Sequence, residues 1–197
     1  MYHSLLTDAT FYNSLLDLDR LIAEQIREGQ CPLCSGKLNQ SHFLRKPRGV
    51  PNGTHPDYPV RFSYCCAEEG CRKRFTTPSM RFLSRKVYSS VILFMIFLFN
   101  SKSDEKRVEK LNTLLNTTLS VETVRRWRHY WIKIIPQSNT WKRAAFSHEL
   151  CETLPSSLLA LFQYSLKEQL YKGLKWLLPL TTGIYLFDAP FRLTARE

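Results

Sequence analysis

The chain has few acidic residues and no long apolar run, and each of these absences excludes a class of protein. Its 17 aspartates and glutamates are outnumbered by 28 lysines and arginines, which gives a formal net charge of +11. The most apolar segment, VILFMIFLF at residues 91–99, is far shorter than the roughly 20 residues of a helical membrane span. We therefore expect a soluble protein whose partner is a polyanion, and the charge alone fits either nucleic acid or an anionic membrane surface.

A secretion signal is also missing. The N-terminal segment MYHSLLTDATFYNSLLDLDR has no basic stretch ahead of an apolar core, and an acid follows at Asp8. We expect a cytoplasmic protein. Disulfides are rare in that compartment, so the six cysteines indicate a metal site rather than a disulfide framework.

Five of the cysteines cluster in the sequence, and the first two form a metal-binding knuckle. Two residues separate Cys31 from Cys34, a spacing at which a tight turn presents both sulfurs to one tetrahedral ion. Gly36 follows, and we expect it to supply the permissive backbone that such turns use.

The second knuckle must come from YCCAEEGC, which contains three cysteines. If residues 60–66 form a strand, Cys66 shares a face with Tyr64, while Cys65 points to the opposite face. Cys66 also has the more usual spacing to Cys71. The predicted zinc ligands are therefore Cys31, Cys34, Cys66 and Cys71.

No feature of the sequence indicates that this zinc takes part in catalysis. A catalytic zinc keeps an open coordination position, and zinc deaminases carry an H-x-E motif, which is absent here. Glu68 and Glu69 adjoin the second knuckle, but four thiolates complete a tetrahedral shell. For the same reason we leave His42 and His55 out of the ligand set. We predict a structural zinc, no catalytic residues and no enzymatic activity.

The segment around the knuckles is predicted to form a small zinc ribbon. Prolines and glycines break its polar/apolar alternation at short intervals, which favours turns and short antiparallel strands over helix. We place an N-terminal helix at residues 1–30 and the ribbon at residues 31–83. Its aromatic residues are assigned mostly to a core and its excess of cations to phosphate contacts, namely Arg45, Lys46, Arg48, Arg72, Lys73 and Arg74.

The pattern becomes helical in residues 84–135. We predict an apolar core helix at 87–99, a second helix in EKRVEKLNTLLN, and a third in SVETVRRWRHYW with Ser120 as its N-cap. The last two form a predicted helix-turn-helix, whose second helix would lie in a major groove of DNA. A plain helical bundle with a basic face is the alternative.

The predicted recognition helix carries its cations on the outer face, together with His129. Arg125 and Arg128 are assigned to base edges, whereas Arg126 and Lys133 are assigned to phosphates. Residues 136–197 are predicted to be helical and to pack on this region or on a second subunit, which leaves a homodimer possible. The predicted fold class is α+β, mostly α, with the zinc ribbon preceding a helical region.

The order of these features resembles the N-terminal DNA-binding part of bacterial insertion-sequence transposases and their accessory proteins. CRKRFT is similar to the end of their zinc ribbon, and SVETVRRWRHYW is similar to their helix-turn-helix, so the resemblance covers residues 31–131. It implies a DNA-binding protein that accompanies a separate transposase or recombinase. The remaining chain departs from the family, because about 65 residues with few acids cannot build a two-metal catalytic domain.

We therefore expect a zinc-stabilised protein that binds double-stranded DNA as an accessory or regulatory component of a transposable element. Four alternatives stay open: a protein for RNA or single strands, a transcription regulator unrelated to transposition, an enzyme or enzyme fragment that uses the zinc, and an adaptor for an acidic protein. The enzyme would need an open coordination position beside a carboxylate. Exposed rings at Tyr58, Phe75 or Phe82 would favour RNA, because bases stack on such rings. Buried rings would count against it.

Overall fold

The computed structural model describes residues 6–83, 87–92, 105–115, 117–134 and 137. Small antiparallel sheets and helices make up these residues, so the predicted α+β class is confirmed. The predicted C-terminal helical region lies almost entirely outside them. In chain order the elements are α1 (Ala9–Glu28), β1 (Leu38–Gln40), β2 (Phe43–Leu44), β3 (Val60–Arg61), β4 (Ser63–Cys66), β5 (Arg74–Thr76), α2 (Glu105–Leu115), α3 (Val121–His129) and a π-helical turn (Tyr130–Ile134).

The first four strands build one long hairpin. β1 pairs with β4 and β2 pairs with β3 in a single register, which runs from Leu38 opposite Cys66 to Leu44 opposite Val60. β5 adds beside β4 and widens the knuckle end of the hairpin to three strands. The short strands predicted from the prolines and glycines are therefore present, and the register places the two knuckles at the same end.

Helix α1 covers one face of this small sheet. The Asp8 side chain caps the helix by accepting the backbone N–H of Thr10, and a stripe of apolar side chains faces the core, including fully buried Leu15 and Leu16. Burying each such leucine stabilises the fold by about 1.5–3 kcal/mol. The hydroxyl of buried Tyr64 on β4 donates to the carbonyl of Ala23, which fixes the helix against the sheet.

A buried ion pair holds α1 to the hairpin and to the segment after β5. Asp19 and Arg81 are both fully buried, and Arg81 Nε donates to Asp19 Oδ2 at 2.7 Å. Asp19 also accepts the hydroxyl of Ser79 and the backbone N–H of Met80. Its carboxylate therefore has three donors, which is the condition for keeping a charge in the interior.

The rest of the Arg81 guanidinium binds the far part of the hairpin. It donates to the carbonyls of Asp57, Tyr58 and Val60, just before and within β3. Aromatic rings surround it, with the ring of Phe82 centred 4.9 Å from the guanidinium carbon. Arg81 is thus an internal structural residue, and the same burial removes Arg61 from the basic surface of the hairpin.

The segment that was predicted to start the apolar helix begins differently. Residues 87–89 make bridges, with Tyr88 alongside Arg48 and Ser89 opposite Phe82, and the helical conformation starts only at Ser90. The prediction of helix from residue 87 was therefore wrong at its start, because backbone partners from the hairpin were available. Residues 93–99 of that predicted helix lie outside the described part of the chain.

The hairpin and the helices share one core. Val108 and Leu111 of α2, Val124 of α3 and Trp131 of the π-helical turn are buried in the same cluster as the α1 and strand side chains. Among the described glycines, Gly49 has the least space for a side chain. A Cβ there would lie 1.6 Å from Ile92 Cδ1, and its φ of +73° suits glycine.

We predict that Asp19→Asn destabilises the protein by about 3–5 kcal/mol, because it leaves the Arg81 charge buried without its counter-ion. Chemical denaturation followed by far-ultraviolet circular dichroism measures the change. Asp17→Asn is the matched control, since its ion pair with Arg20 is exposed and should contribute less than about 1 kcal/mol. Equal stabilities of the two variants would contradict the structural role of Asp19.

Candidate metal centre and basic surfaces

The two knuckles bring four cysteine sulfurs into one cluster. The sulfurs of Cys31, Cys34, Cys66 and Cys71 all lie within 4.8 Å of one another. Two of the separations are 3.8 Å, between Cys31 and Cys71, and 3.4 Å, between Cys34 and Cys66. These are the four residues selected from spacing and strand alternation, and such a cluster can hold one metal ion.

The first knuckle is a tight turn closed by two backbone hydrogen bonds. Cys31 donates its N–H to the carbonyl of Gly36, and Ser35 donates to the carbonyl of Cys31, both at 2.8 Å. The left-handed residue of this turn is Ser35, with φ of +57°, and not Gly36 as expected from sequence. Gly36 is needed for space instead, because a Cβ there would lie 3.2 Å from Cys66 Sγ and 2.3 Å from Glu68 Cγ.

The second knuckle repeats this arrangement. Cys71 and Arg72 both donate their N–H groups to the carbonyl of Glu68, at 3.0 Å. Arg72, directly after the second cysteine of its pair, is left-handed with φ of +44°, as Ser35 is in the first knuckle. Cys66 is tied to the returning chain by its N–H bond to the carbonyl of Lys73. Two turns of similar shape therefore face each other across the cluster.

Backbone N–H groups of the knuckles are directed at the sulfurs. Burial opposes ionisation of Cys31, but the N–H groups of Leu33 and Cys34, together with the thiols of Cys34 and Cys71, lower the pKa of Cys31 to about 7. Cys34 is favoured as a thiolate by the N–H of Gly36, yet the Cys66 thiol and burial raise its pKa to about 12. Since crowded thiolates repel one another, full deprotonation of the cluster requires a cation.

Cys65 lies outside the cluster, as strand alternation predicts. Its half-buried thiol contacts the carbonyl of Arg72 at 3.4 Å, on the face of β4 opposite Cys66. Cys65 is paired across the strands with Asn39 on one side and Arg74 on the other. Cys65 thus lies beside the four-cysteine cluster and contributes no sulfur to it.

The two histidines between the knuckles have other partners. Nδ1 of His42 accepts the backbone N–H of Ser63 at 3.1 Å, which bridges a gap between the β1–β4 and β2–β3 ladders. Nδ1 of His55 accepts the N–H of Asp57 at 3.0 Å. Both rings therefore have roles in the hairpin, in agreement with leaving them out of the ligand set.

The six hairpin cations assigned to phosphate contacts fall into two separate groups. We call Arg45, Lys46 and Arg48 the basic arm and Arg72, Lys73 and Arg74 the knuckle patch. All six are exposed except Arg45, which is half-buried. The arm continues β2, and the N–H of Arg45 donates to the carbonyl of Pro59. Arg74 of the knuckle patch lies opposite Cys65, near the knuckle end of the hairpin. Pro59 and Cys65 are six positions apart along the extended chain, which corresponds to about 20 Å.

Helix α3 presents most of its predicted cations to solvent. Arg125, Arg126 and His129 are exposed, and Lys133 is exposed on the π-helical turn that follows the helix. Arg128 is only half-exposed, because it lies about 40° around the helix from buried Val124. The expectation that Arg128 lies on the outer face is therefore corrected.

The turn between α2 and α3 is held by one side chain. Asn112 donates to the carbonyl of Leu119 at 2.9 Å and accepts the N–H of the same residue at 2.7 Å, and it also accepts the hydroxyl of Thr117. Ser120 caps α3 by accepting the N–H of Thr123, which confirms the cap predicted from sequence. Sequence reasoning missed Asn112, although an asparagine just before a helix end is a signal for such a turn.

A shallow groove between α2 and the start of α3 has the opposite character. It is lined by exposed Glu105 and Glu109 of α2, together with Asn112 and the first residues of α3. Its two glutamates make this groove less favourable to anions than the arginine-bearing face of α3.

Comparison with known proteins adds no relative. A scan against protein-family models, a search of curated proteins and a search of solved structures found no match to this chain. Among the described helices, none has both the length and the apolarity that crossing a membrane requires.

We predict that Cys66→Ser abolishes stoichiometric metal binding, whereas Cys65→Ser retains it, because only the first substitution removes a sulfur from the cluster. Native mass spectrometry of protein purified with added zinc measures the bound metal. If Cys65→Ser loses the metal and Cys66→Ser retains it, Cys65 is the ligand instead of Cys66.

We also predict that Gly36→Ala weakens metal binding about 10- to 100-fold, because the added methyl group presses on Cys66 and Glu68. Competition with a chromophoric chelator measures the affinity. Gly70→Ala is the matched control in the second knuckle, since no atom lies within 4 Å of its added methyl group. If both variants bind metal as the unmodified protein does, Gly36 has no such role.

Proposed function

We propose that the four-cysteine cluster binds Zn²⁺ as a structural metal and that the hairpin with its two knuckles is a zinc ribbon. Zinc bonds thiolate at about 2.3 Å, so an ideal tetrahedral site has sulfurs about 3.8 Å apart. The two sulfur pairs at 3.8 and 3.4 Å support that fit. Zn²⁺ would supply the charge that allows all four thiols to ionise, and it would leave no open coordination position.

We infer that α2 and α3 form a helix-turn-helix that binds double-stranded DNA. The observation that carries this proposal is the combination of a turn clamped by Asn112, a helix capped by Ser120, and exposed Arg125 and Arg126 on that helix. A rigid turn presents the second helix in one orientation, and arginines are the residues that most often contact guanine and phosphate.

The exposure of each cation refines the roles proposed for α3. Arg125 and Arg126 lie on the solvent face, with Glu122 near Arg125 at 4.0 Å. These two arginines are the better candidates for base and phosphate contacts, whereas half-exposed Arg128 suits a backbone contact at the edge of the helix. Lys133, one turn further, is placed to reach a phosphate.

Burial of the aromatic rings favours duplex DNA over RNA or single strands. Tyr58 and Phe82 are each 1% exposed and Phe75 is 7% exposed, so these rings cannot stack on bases. The resemblance to transposase DNA-binding regions supplies the proposed context. In that context the protein is an accessory or regulatory component of a mobile element and acts beside a separate transposase or recombinase.

We predict that the zinc-loaded protein binds random duplex DNA with a steep salt dependence and that Arg125→Ala/Arg126→Ala weakens binding about tenfold or more. Each lost arginine contact removes charge-assisted bonds to bases or phosphates. Fluorescence anisotropy with duplex, single-stranded DNA and RNA across a salt series measures both effects.

Lys106→Ala/Lys110→Ala on α2 is the control, since it removes the same charge from exposed positions of the neighbouring helix. If the two double variants lose the same affinity for duplex, α3 contributes only its net charge to binding and makes no specific contact. A preference for single strands or RNA over duplex would overturn the DNA assignment.

A further inference from the structure

The hairpin brings its basic arm to the turn that precedes α3. A Cβ on Gly49 would lie 3.1 Å from Thr117 Cγ2, and Thr117 stands three residues before the Ser120 cap. Lys46 and Arg48 precede Gly49 by three residues and one residue, so their backbone lies within about 10 Å of it. The basic arm therefore lies beside the turn that precedes α3, and the exposed Arg125 and Arg126 follow about one turn into that helix.

Backbone bonds hold the arm in this position. The N–H of Arg48 donates to the carbonyl of Val87 at 2.9 Å, and its carbonyl accepts the N–H of Ser89 at 3.1 Å. The guanidinium of Arg45 lies over the ring of buried Phe82, 5.9 Å from its centre. The arm is thus a braced strand with two outward cations, Lys46 and Arg48, rather than a free loop.

The knuckle patch has a different relation to α3. It lies about 20 Å from the arm along the hairpin, which corresponds to about six base pairs of duplex. The arm adjoins the turn before α3, whereas the knuckle patch lies at the opposite end of the hairpin.

We propose that the basic arm is a second DNA-contacting element, which binds phosphates that flank the groove occupied by α3. This inference rests on the DNA-binding function proposed above and assigns to it a two-part footprint. The arm carries no base-reading geometry, so it contributes affinity and register rather than sequence preference.

The test is the salt dependence of duplex binding by full-length, zinc-loaded protein. Each phosphate contact contributes about 0.9 to the slope of log K against log salt, so Lys46→Ala/Arg48→Ala should lower the slope by about 1.8. Both truncations leave the backbone hydrogen bonds of the arm in place. Circular dichroism and metal content should therefore match those of the unmodified protein.

Arg27→Ala/Lys37→Ala is the matched control, because it removes the same charge from exposed positions at the knuckle end of the molecule. A slope change no larger in the arm variant than in this control overturns the proposal. A larger loss from Arg72→Ala/Lys73→Ala/Arg74→Ala than from the arm variant also overturns it, because the duplex then follows the knuckle end.

The outcomes separate this inference from the proposed function. If the protein binds duplex and the α3 double variant weakens binding while the arm variant does not, only the arm proposal fails. If the unmodified protein shows no salt-dependent duplex binding, the proposed function fails and the arm proposal fails with it.

Discussion

The ion pair between Asp19 and Arg81 is the interaction on which the rest of the structure depends. Both side chains are fully buried, and charges in such a position persist only when their hydrogen bonds are met. The Asp19 carboxylate accepts hydrogen bonds from the segment after β5, and the Arg81 guanidinium donates hydrogen bonds to carbonyls near β3. One helix, one hairpin and one returning chain are therefore locked together at a single point.

The four-cysteine cluster lies at the opposite end of the same hairpin. Cys66 ends β4, so a metal ion that joined it to Cys31 would tie the hairpin to the segment that follows α1. Between these two ends the hairpin register is continuous, and its far end contacts Ile92 and Thr117 through Gly49. A short-stranded sheet that is too small to be stable alone is thus braced at both ends.

Local features of the chain were predictable, and features that depend on distant partners were not. The choice of Cys66 over Cys65 follows from strand alternation, and the Ser120 cap follows from its neighbours. The burial of Arg81 did not follow, because a carboxylate 62 residues away is its partner. Residues 87–89 lead into an apolar run suited to a helix, yet their backbone bonds to Arg48 of the hairpin instead.

Sequence by itself determined which four cysteines cluster, the short strands and the helix pair, since each depends on spacing within a few residues. Tertiary structure decided which cations reach solvent: Arg61 and Arg81 are internal, Arg128 is half-covered, and Lys46 and Arg48 stand beside the turn before α3. The physical reason is that an arginine paired with a buried carboxylate and an arginine facing water are the same letter in the sequence, and the same holds for lysine. Only the placement of its neighbours distinguishes the two.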